Sequence, residues 1–367
     1  MTECDVAIIG GGPTGTAAAL TLLRHSQLRP VIVERSSYDG WRVGETLSPG
    51  VAPLLAYLGA EEVLSQGQRR AYATSAAWGS ADVVSRDFLF TGGGDAWHLD
   101  RSRFDASLAR LVTERGGVLL TGTVVTHAEP RWMLTTTSGD LAAKFVIDAT
   151  GRHAAFARMQ SARVTSDDHL MGLVSVFESR GDDAQTATLV EAVDDGWWYS
   201  ARLPQHRTVV AFMTDADIVR AQHLHEQQAW LARLRETRPT WQRVERARLA
   251  HGPITCPAHT QIVEPVAGEG WLAAGEAAVG FDPLSSMGIG YAIASGIQAA
   301  RVAASSLGGD SEHARLFAHD VRRHYDAYLA KRKAYYAMEQ RWPDSPFWQR
   351  RQAPTNQQPA TSNQQLI

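Results

Sequence analysis

Six residues near the start of the chain have the type and spacing to hold a dinucleotide. Gly10-Gly11-Gly12-Pro13-Thr14-Gly15 matches G-x-G-x-x-G. In such a motif Gly10 permits the tight turn, Gly12 lets backbone approach a pyrophosphate, and Gly15 allows the following helix to pack closely. The N-terminus of the helix that follows the turn aims N–H donors and positive potential at the phosphates. Glu34 falls where a carboxylate accepts hydrogen bonds from ribose hydroxyls, and an acid there disfavours a 2′-phosphate. FAD or NAD is implied rather than NADP. Cys4 and Cys256 stand in dissimilar contexts and supply neither a disulfide framework nor a zinc spacing, and no metal site is read from the sequence.

Those residues need a strand, a turn and a helix to position them. Asp5 to Ile9 reads as a buried strand, Thr16 to Arg24 as an Ala/Leu-rich helix and Pro30 to Glu34 as a second strand, a βαβ opening. Arg101 to Thr113 is patterned as an amphipathic helix, Gly117 to Val125 as strands, and Phe145 to Ala149 as a short buried strand running into Gly151. Between Leu170 and Pro265 the pattern alternates, as in Thr208 to Thr214, and is interrupted by a polar helix from Ala216 to Glu236. This predicts an antiparallel sheet with a covering helix. A strand at Gly270 to Gly275 and a small-residue helix from Gly288 to Ser305 then return to the first unit. The division expected is a discontinuous nucleotide domain (1–80, 100–162 and 266–340), a substrate domain (81–99 and 163–265), a helical segment (341–352) and a disordered tail (353–367).

A chain of 367 residues with 44% hydrophobic content can bury a large core. Its formal charge of -3 offers no basic field for nucleic acid. The apolar run Val6 to Ile9 stops at Gly10 without the flanks of a signal peptide, and no stretch is long enough to span a membrane. Cytoplasmic residence is the expectation.

Four further segments follow in order: Arg42-Val43-Gly44-Glu45 with Thr46-Leu47-Ser48-Pro49; His98-Leu99-Asp100-Arg101 with Phe104, Asp105 and Leu108; Asp148-Ala149-Thr150-Gly151-Arg152; and Gly275-Glu276-Ala277-Ala278 with Phe281-Asp282-Pro283 and Gly288-Ile289. Together with the glycine motif they resemble the group A flavin monooxygenases and flavin-dependent halogenases. That resemblance implies an α/β fold, in which an FAD-binding Rossmann-like domain of the glutathione-reductase or para-hydroxybenzoate hydroxylase type is interleaved with an antiparallel β-sheet substrate domain. It implies FAD contacts from the glycine turn with Pro13 and Thr14, from Glu34, Arg35, Arg42, Glu45, Arg101 and Val124, from Ala149, Thr150 and Gly151, and from Gly275, Glu276, Pro283, Gly288 and Ile289. Glu276 stands where the family has aspartate, which keeps an acceptor for a ribityl hydroxyl on a longer arm. Only one dinucleotide fingerprint is present, so electrons are expected from NADH or from a separate flavin reductase.

Glu191 with Gly196-Trp197-Trp198-Tyr199-Ser200 and Pro204 resembles the W-x-W-x-I-P segment of the halogenases, with Trp197 and Trp198 adjacent instead of spaced. Halogenases also need a lysine downstream of the G-E segment, whereas the lysines here are Lys144, Lys331 and Lys333. Compact length, the D-G-W-W-Y-S segment and the ending Glu339-Gln340-Arg341-Trp342 with Phe347-Trp348 resemble most the flavoproteins that mature cysteine tryptophylquinone in amino-acid oxidases. This implies a flavin C4a-hydroperoxide that oxygenates an electron-rich indole, with the precursor of a quinone-dependent oxidase as partner and substrate. Glu45, Glu191 and His98 are of the type to accept the ring proton, and Trp197 and Trp198 complete the catalytic candidates. Two alternatives stay open: a small-molecule indole or phenol hydroxylase or halogenase-like enzyme, and a non-catalytic flavin-binding maturation chaperone.

Overall fold

The computed structural model describes residues 2–88, 94–179, 186–310 and 312–352. The tail expected at 353–367 lies outside the described residues. Strand Thr2–Ile9 is buried from Cys4 onward and apolar from Val6, as a strand covered on both faces must be. It pairs in parallel with Gly139–Asp148 on one side and Pro30–Val33 on the other. Val118–Leu120 and Trp271–Ala273 extend the parallel sheet outward. Five strands from separate stretches of chain therefore build one parallel sheet, whose strand ends at Ile9, Val33 and Asp148 stand side by side.

The helix Pro13–His25 buries Thr14 to Leu22 against this sheet. Its neighbour is Gly288–Leu307, rich in Ala, Ser and Gly. Small residues let the two backbones touch: a Cβ on Gly296 would fall 2.2 Å from the Thr14 carbonyl. Any larger residue at 296 would push the second helix away from the glycine turn.

A seven-stranded sheet forms the other layer, ordered 248–257, 170–178, 207–215, 196–202, 188–193, 73–77 and 84–87. Its pairings are antiparallel except for Thr188–Val193 with Ala73–Ala77, which run parallel. Strand Ala73–Ala77 lies inside the 1–80 stretch that sequence reading gave to the nucleotide half. The antiparallel expectation for 170–265 matches the strands observed. The polar helix expected from Ala216 to Glu236 is instead two helices, Ala216–Ala221 and Gln227–Arg235. They break because Leu224 turns into the core at 2% exposure while His223 takes a positive φ of 52°, incompatible with a continuing helix.

The long helix Glu312–Ala337 crosses both layers. Tyr325, Tyr328, Arg332 and Tyr336 follow the three-to-four spacing of one helical face, and the three tyrosines are buried. The final helix Pro346–Gln352 is held by Arg351 paired to Asp215 at 2.6 Å and by the Trp348 indole donating to the Val193 carbonyl at 2.9 Å.

Candidate active site

The glycine turn sits where the first parallel strand ends. Gly10 has φ 108° and a Cβ there would lie 2.2 Å from the Ala149 carbonyl, so only glycine fits. At Gly15 a Cβ would lie 1.9 Å from the Gly10 carbonyl. Gly12 differs: a Cβ would meet nothing within 4 Å. Its side faces open space at the head of the helix Pro13–His25, the place where a pyrophosphate would be cradled. The residues present fit a dinucleotide on that observation.

Glu34 closes the second strand and reaches back to the turn. Its Oε2 accepts from the Gly11 N–H at 2.6 Å and its Oε1 from the Ser36 N–H at 2.9 Å. The Ser36 hydroxyl also donates to Oε1; each carboxylate oxygen carries two lone pairs, so capacity for a hydroxyl remains on Oε2. Arg35 and Val124 are exposed. Thr123, next to Val124, donates its N–H to the Glu34 carbonyl at 3.0 Å. Tyr38 donates to the Gly11 carbonyl at 2.8 Å and closes the turn from above.

Asp105, fully buried, organises the next segment. It accepts from Arg42 at 2.9 Å and from Arg101 at 3.1 and 3.2 Å. The other arm of Arg101 donates to the Val43 and Gly44 carbonyls at 2.7 and 3.0 Å. Arg101 thus fixes the backbone just ahead of Glu45, and the Leu99 N–H donates to the Glu45 carbonyl at 2.7 Å. The Glu45 side chain is 5% exposed, and its Oε1 has no hydrogen-bond partner among the described residues. Burial lifts its carboxyl to about 7, with Arg101 pulling the other way.

Glu45 has company from the antiparallel sheet. Burial first, and the Glu45 charge second, push the Tyr199 phenol above its ordinary range and the Cys256 thiol up to about 11. The Tyr199 hydroxyl lies 2.6 Å from Thr46 Oγ1. Trp41, Val43, Tyr199, Cys256 and Leu284 all pack against one apolar cluster that also holds Trp197 and Met213. An unpartnered carboxylate beside aromatic and apolar walls is suited to an aromatic ligand that carries an N–H or O–H donor.

Gly275 has φ 59°, and a Cβ there would press on Thr14. Glu276 uses its longer arm in an ion pair with Arg152 Nε at 3.1 Å, while Arg152 Nη2 donates to the Phe281 carbonyl at 2.8 Å. Asp282 begins the turn that carries the exposed Pro283. It is 1% exposed and accepts from Tyr336 at 2.7 Å and from Arg332 at 3.2 Å, while its N–H donates to Tyr328 at 2.8 Å. Arg332 also pairs with Asp168 at 2.7 Å. Gly288, with open space beside it, and Ile289 head the helix that follows.

The sequence model described as Tryptophan halogenase matches residues 86–366. The chain belongs to the tryptophan halogenase family. Within reach of this family is an FAD-dependent oxidoreductase, LodB of Marinomonas mediterranea, 31% identical over 96% of this chain and 98% of its own length. A tryptophan 2-halogenase of Chondromyces crocatus is 22% identical over 85% of this chain and 63% of its own. The myxobacterial chondrochloren halogenase CndH superposes with a TM-score of 0.86 and 22% identity, covering 97% of this chain and 87% of that one. The peptidyl tryptophan dihydroxylase QhpG, essential for tryptophylquinone cofactor biogenesis, superposes at 0.82 and 22% identity, covering 98% and 81%. The fold is that of the FAD-dependent halogenases, and this member of the tryptophan halogenase family is an FAD-dependent oxidoreductase. Among the described residues no helix is long and apolar enough to cross a membrane.

Of the candidate proton acceptors, only Glu45 keeps a buried carboxylate oxygen with no hydrogen-bond partner among the described residues. His98 is fully buried, with Nδ1 at 2.9 Å from the Arg202 carbonyl and Nε2 at 2.9 Å from Thr188 Oγ1. Burial lowers it to about 4, so it is neutral at pH 7 and both nitrogens are engaged. Glu191 accepts from Thr240 and Arg238 and holds the start of the short helix Pro239–Gln242. Trp197 and Trp198 point to opposite faces, as successive strand residues must. Trp197 donates to Tyr336 at 3.0 Å, whereas Trp198 stacks on Phe212 at 4.5 Å in a separate cluster. Asp148 accepts from Thr150 and from the Ala157 N–H at 2.7 Å, so it shapes the turn through Thr150 and Gly151. Tyr199, Cys256 and the group formed by Asp282, Arg332 and Tyr336 are not legible in the sequence, since partners 54 residues apart, as Asp282 and Tyr336, or 153 apart, as Thr46 and Tyr199, leave no local pattern.

Proposed function

We propose that this protein oxygenates the indole of a tryptophan in a partner protein, as a step in maturing a tryptophylquinone cofactor. The observation that carries the reading is Glu45: a buried carboxylate with an unpartnered oxygen, whose neighbour Thr46 is hydrogen-bonded to Tyr199 of the apolar cluster and whose charge is felt by Tyr199 and Cys256. In this reading the glycine turn, Glu34 with Arg35 and Val124, the Arg42–Glu45 segment, the turn through Ala149, Thr150 and Gly151, and Gly275 to Ile289 hold FAD. The parallel sheet with its helices is the cofactor domain, and the antiparallel sheet closes the substrate side. Bound FAD, reduced by NADH or by a separate flavin reductase, would supply the electrons that activate oxygen.

The chain's own residues then do three things. Asp105, through Arg42 and Arg101, holds the Glu45 backbone so that the carboxylate keeps a fixed position. Tyr199, Cys256, Val43 and Leu284 exclude water from the ring to be oxidised. Glu45 accepts the indole N–H as substrate binds and takes up a proton when the ring regains aromaticity, a task suited to an acid of pKa about 7. His98 and Glu191 serve the frame through their buried hydrogen bonds.

The peptidyl tryptophan substrate of QhpG supports a protein substrate. Halogenation is the second reading, favoured by the family name. No lysine lies between Glu45 and His98 in this sequence, and that is the stretch where the resemblance to halogenases calls for one. One incubation separates the two: reduced, FAD-loaded protein with a tryptophan-bearing oxidase precursor and with free tryptophan, in aerated chloride buffer, followed by mass spectrometry. Oxygen added to the precursor is expected. Chlorine in either product would establish the second reading, and unmodified substrates across a range of precursors would sink both.

A further inference from the structure

We propose that His223, His225 and Glu226 bind one divalent transition-metal ion of the zinc, nickel and copper group. The three residues occupy the turn between the helices Ala216–Ala221 and Gln227–Arg235, far along the chain from Glu45, and no motif of the flavin site involves them. The cysteine spacing points to no metal site, and one continuous polar helix over 216–236 would not gather these three side chains at a turn.

The donor set is two imidazole nitrogens and one carboxylate oxygen, which suits zinc and its borderline neighbours and leaves positions for water. One ligand atom from each residue lies within 4.8 Å of the other two. His223 Nδ1 is 3.9 Å and His225 Nε2 is 4.0 Å from Glu226 Oε1. An ion with bonds of about 2.1 Å wants its ligand atoms roughly 3.4 Å apart, a difference that rotation of exposed side chains removes.

Backbone structure presets the arrangement. Leu224 is buried at 2% exposure and its N–H donates to the Val219 carbonyl at 3.0 Å, which anchors the turn between the two histidines. His223 and His225 flank that anchor and are both exposed. The Glu226 N–H donates to the His223 carbonyl at 2.9 Å, bringing the carboxylate back to the first imidazole. A ligand set already folded into one turn needs little further ordering to take up an ion. Once bound, the ion ties the turn to the head of the helix Gln227–Arg235. Trp230 of that helix donates to the Leu173 carbonyl at 3.2 Å and meets Trp198 edge-on at 5.2 Å, so the site stiffens the cover on the outer face of the antiparallel sheet.

The test is calorimetric titration of full-length, tag-free, chelator-stripped protein with Zn²⁺, paired with thermal melts. One ion per chain is expected, with a dissociation constant on the order of 1–10 μM. His223→Ala and His225→Ala should each weaken it at least tenfold, while His319→Ala, an exposed histidine on another helix, leaves it unchanged. Saturating Zn²⁺ should raise Tm by roughly 2–4 °C in the native chain and by nothing measurable in His225→Ala. Absence of saturable binding up to 100 μM of the ion would overturn the proposal, as would binding that survives in the double histidine variant. Binding without a Tm rise would overturn the stiffening role.

Discussion

Two turns assigned to the cofactor under the proposed function are built by different means. The glycine turn at residues 10–15 is made of backbone in contact with backbone: Gly15 against Gly10, and Gly10 against Ala149. The turn at residues 282–287 is held by side chains arriving from a helix about fifty positions later, with Tyr328, Arg332 and Tyr336 all on Asp282. A backbone-built site tolerates almost no side chain at its contacts but owes little to distant residues. A site built from side chains can be dismantled from far away, and its stability and its shape are the same property.

The largest break in that comparison should come from Arg332→Met, which leaves Asp282 and Asp168 buried without their cation. Loss of one partner of a buried pair removes about 3–5 kcal/mol, and a urea melt of the apoprotein should show it. Next is Glu45→Gln, whose effect depends on pH. The folded chain keeps the Glu45 proton up to about 7, whereas the unfolded chain releases it near 4.3. The unfolded state therefore binds fewer protons between those limits, and native stability falls as pH rises through that window. Relative to the native chain, the glutamine variant should gain roughly 3 kcal/mol between pH 4 and pH 8, read from melts at both ends. A flat difference would show that the carboxyl is not carrying a raised pKa.

Tyr336→Phe is smaller, because it removes one donor to Asp282 and one acceptor for the Trp197 indole while preserving the packing. We expect about 1–2 kcal/mol and a weaker grip on FAD, measured by fluorescence titration. At the bottom of the scale stands Gly12→Ala. Nothing lies within 4 Å of the added methyl, so apoprotein stability should move by less than about 0.5 kcal/mol while FAD affinity falls at least tenfold. Equal FAD affinity would remove the cofactor from the glycine turn.

The same contrast explains what could be read from the sequence. The glycine turn, its strand and Glu34 are local, and their spacing follows from the geometry of one βαβ unit. The strand at 5–9 was legible for that reason, and the strand at 208–214 and the helix from 288 were legible from their own local periodicity. His98 and Glu191 have the chemical type of a proton acceptor, but type does not show that Arg202 and Thr188 occupy both histidine nitrogens, or that Thr240 occupies the glutamate. Adjacent tryptophans at 197 and 198 look like a pair in sequence and are parted by the alternation of a strand. The break at His223 was hidden because the polar composition of 216–236 is that of a solvated helix, and only the burial of Leu224 interrupts it.

The central claim is that Glu45 faces the indole and takes its proton. It is tested most directly by the rate at which oxygen from ¹⁸O₂ enters a peptidyl tryptophan, measured from pH 5 to pH 9 with the native protein and with Glu45→Gln, both fully loaded with FAD. The account predicts a native rate that climbs through about pH 7 and a variant rate at least tenfold lower with no such climb. Equal rates and the same pH profile in the two proteins would contradict it.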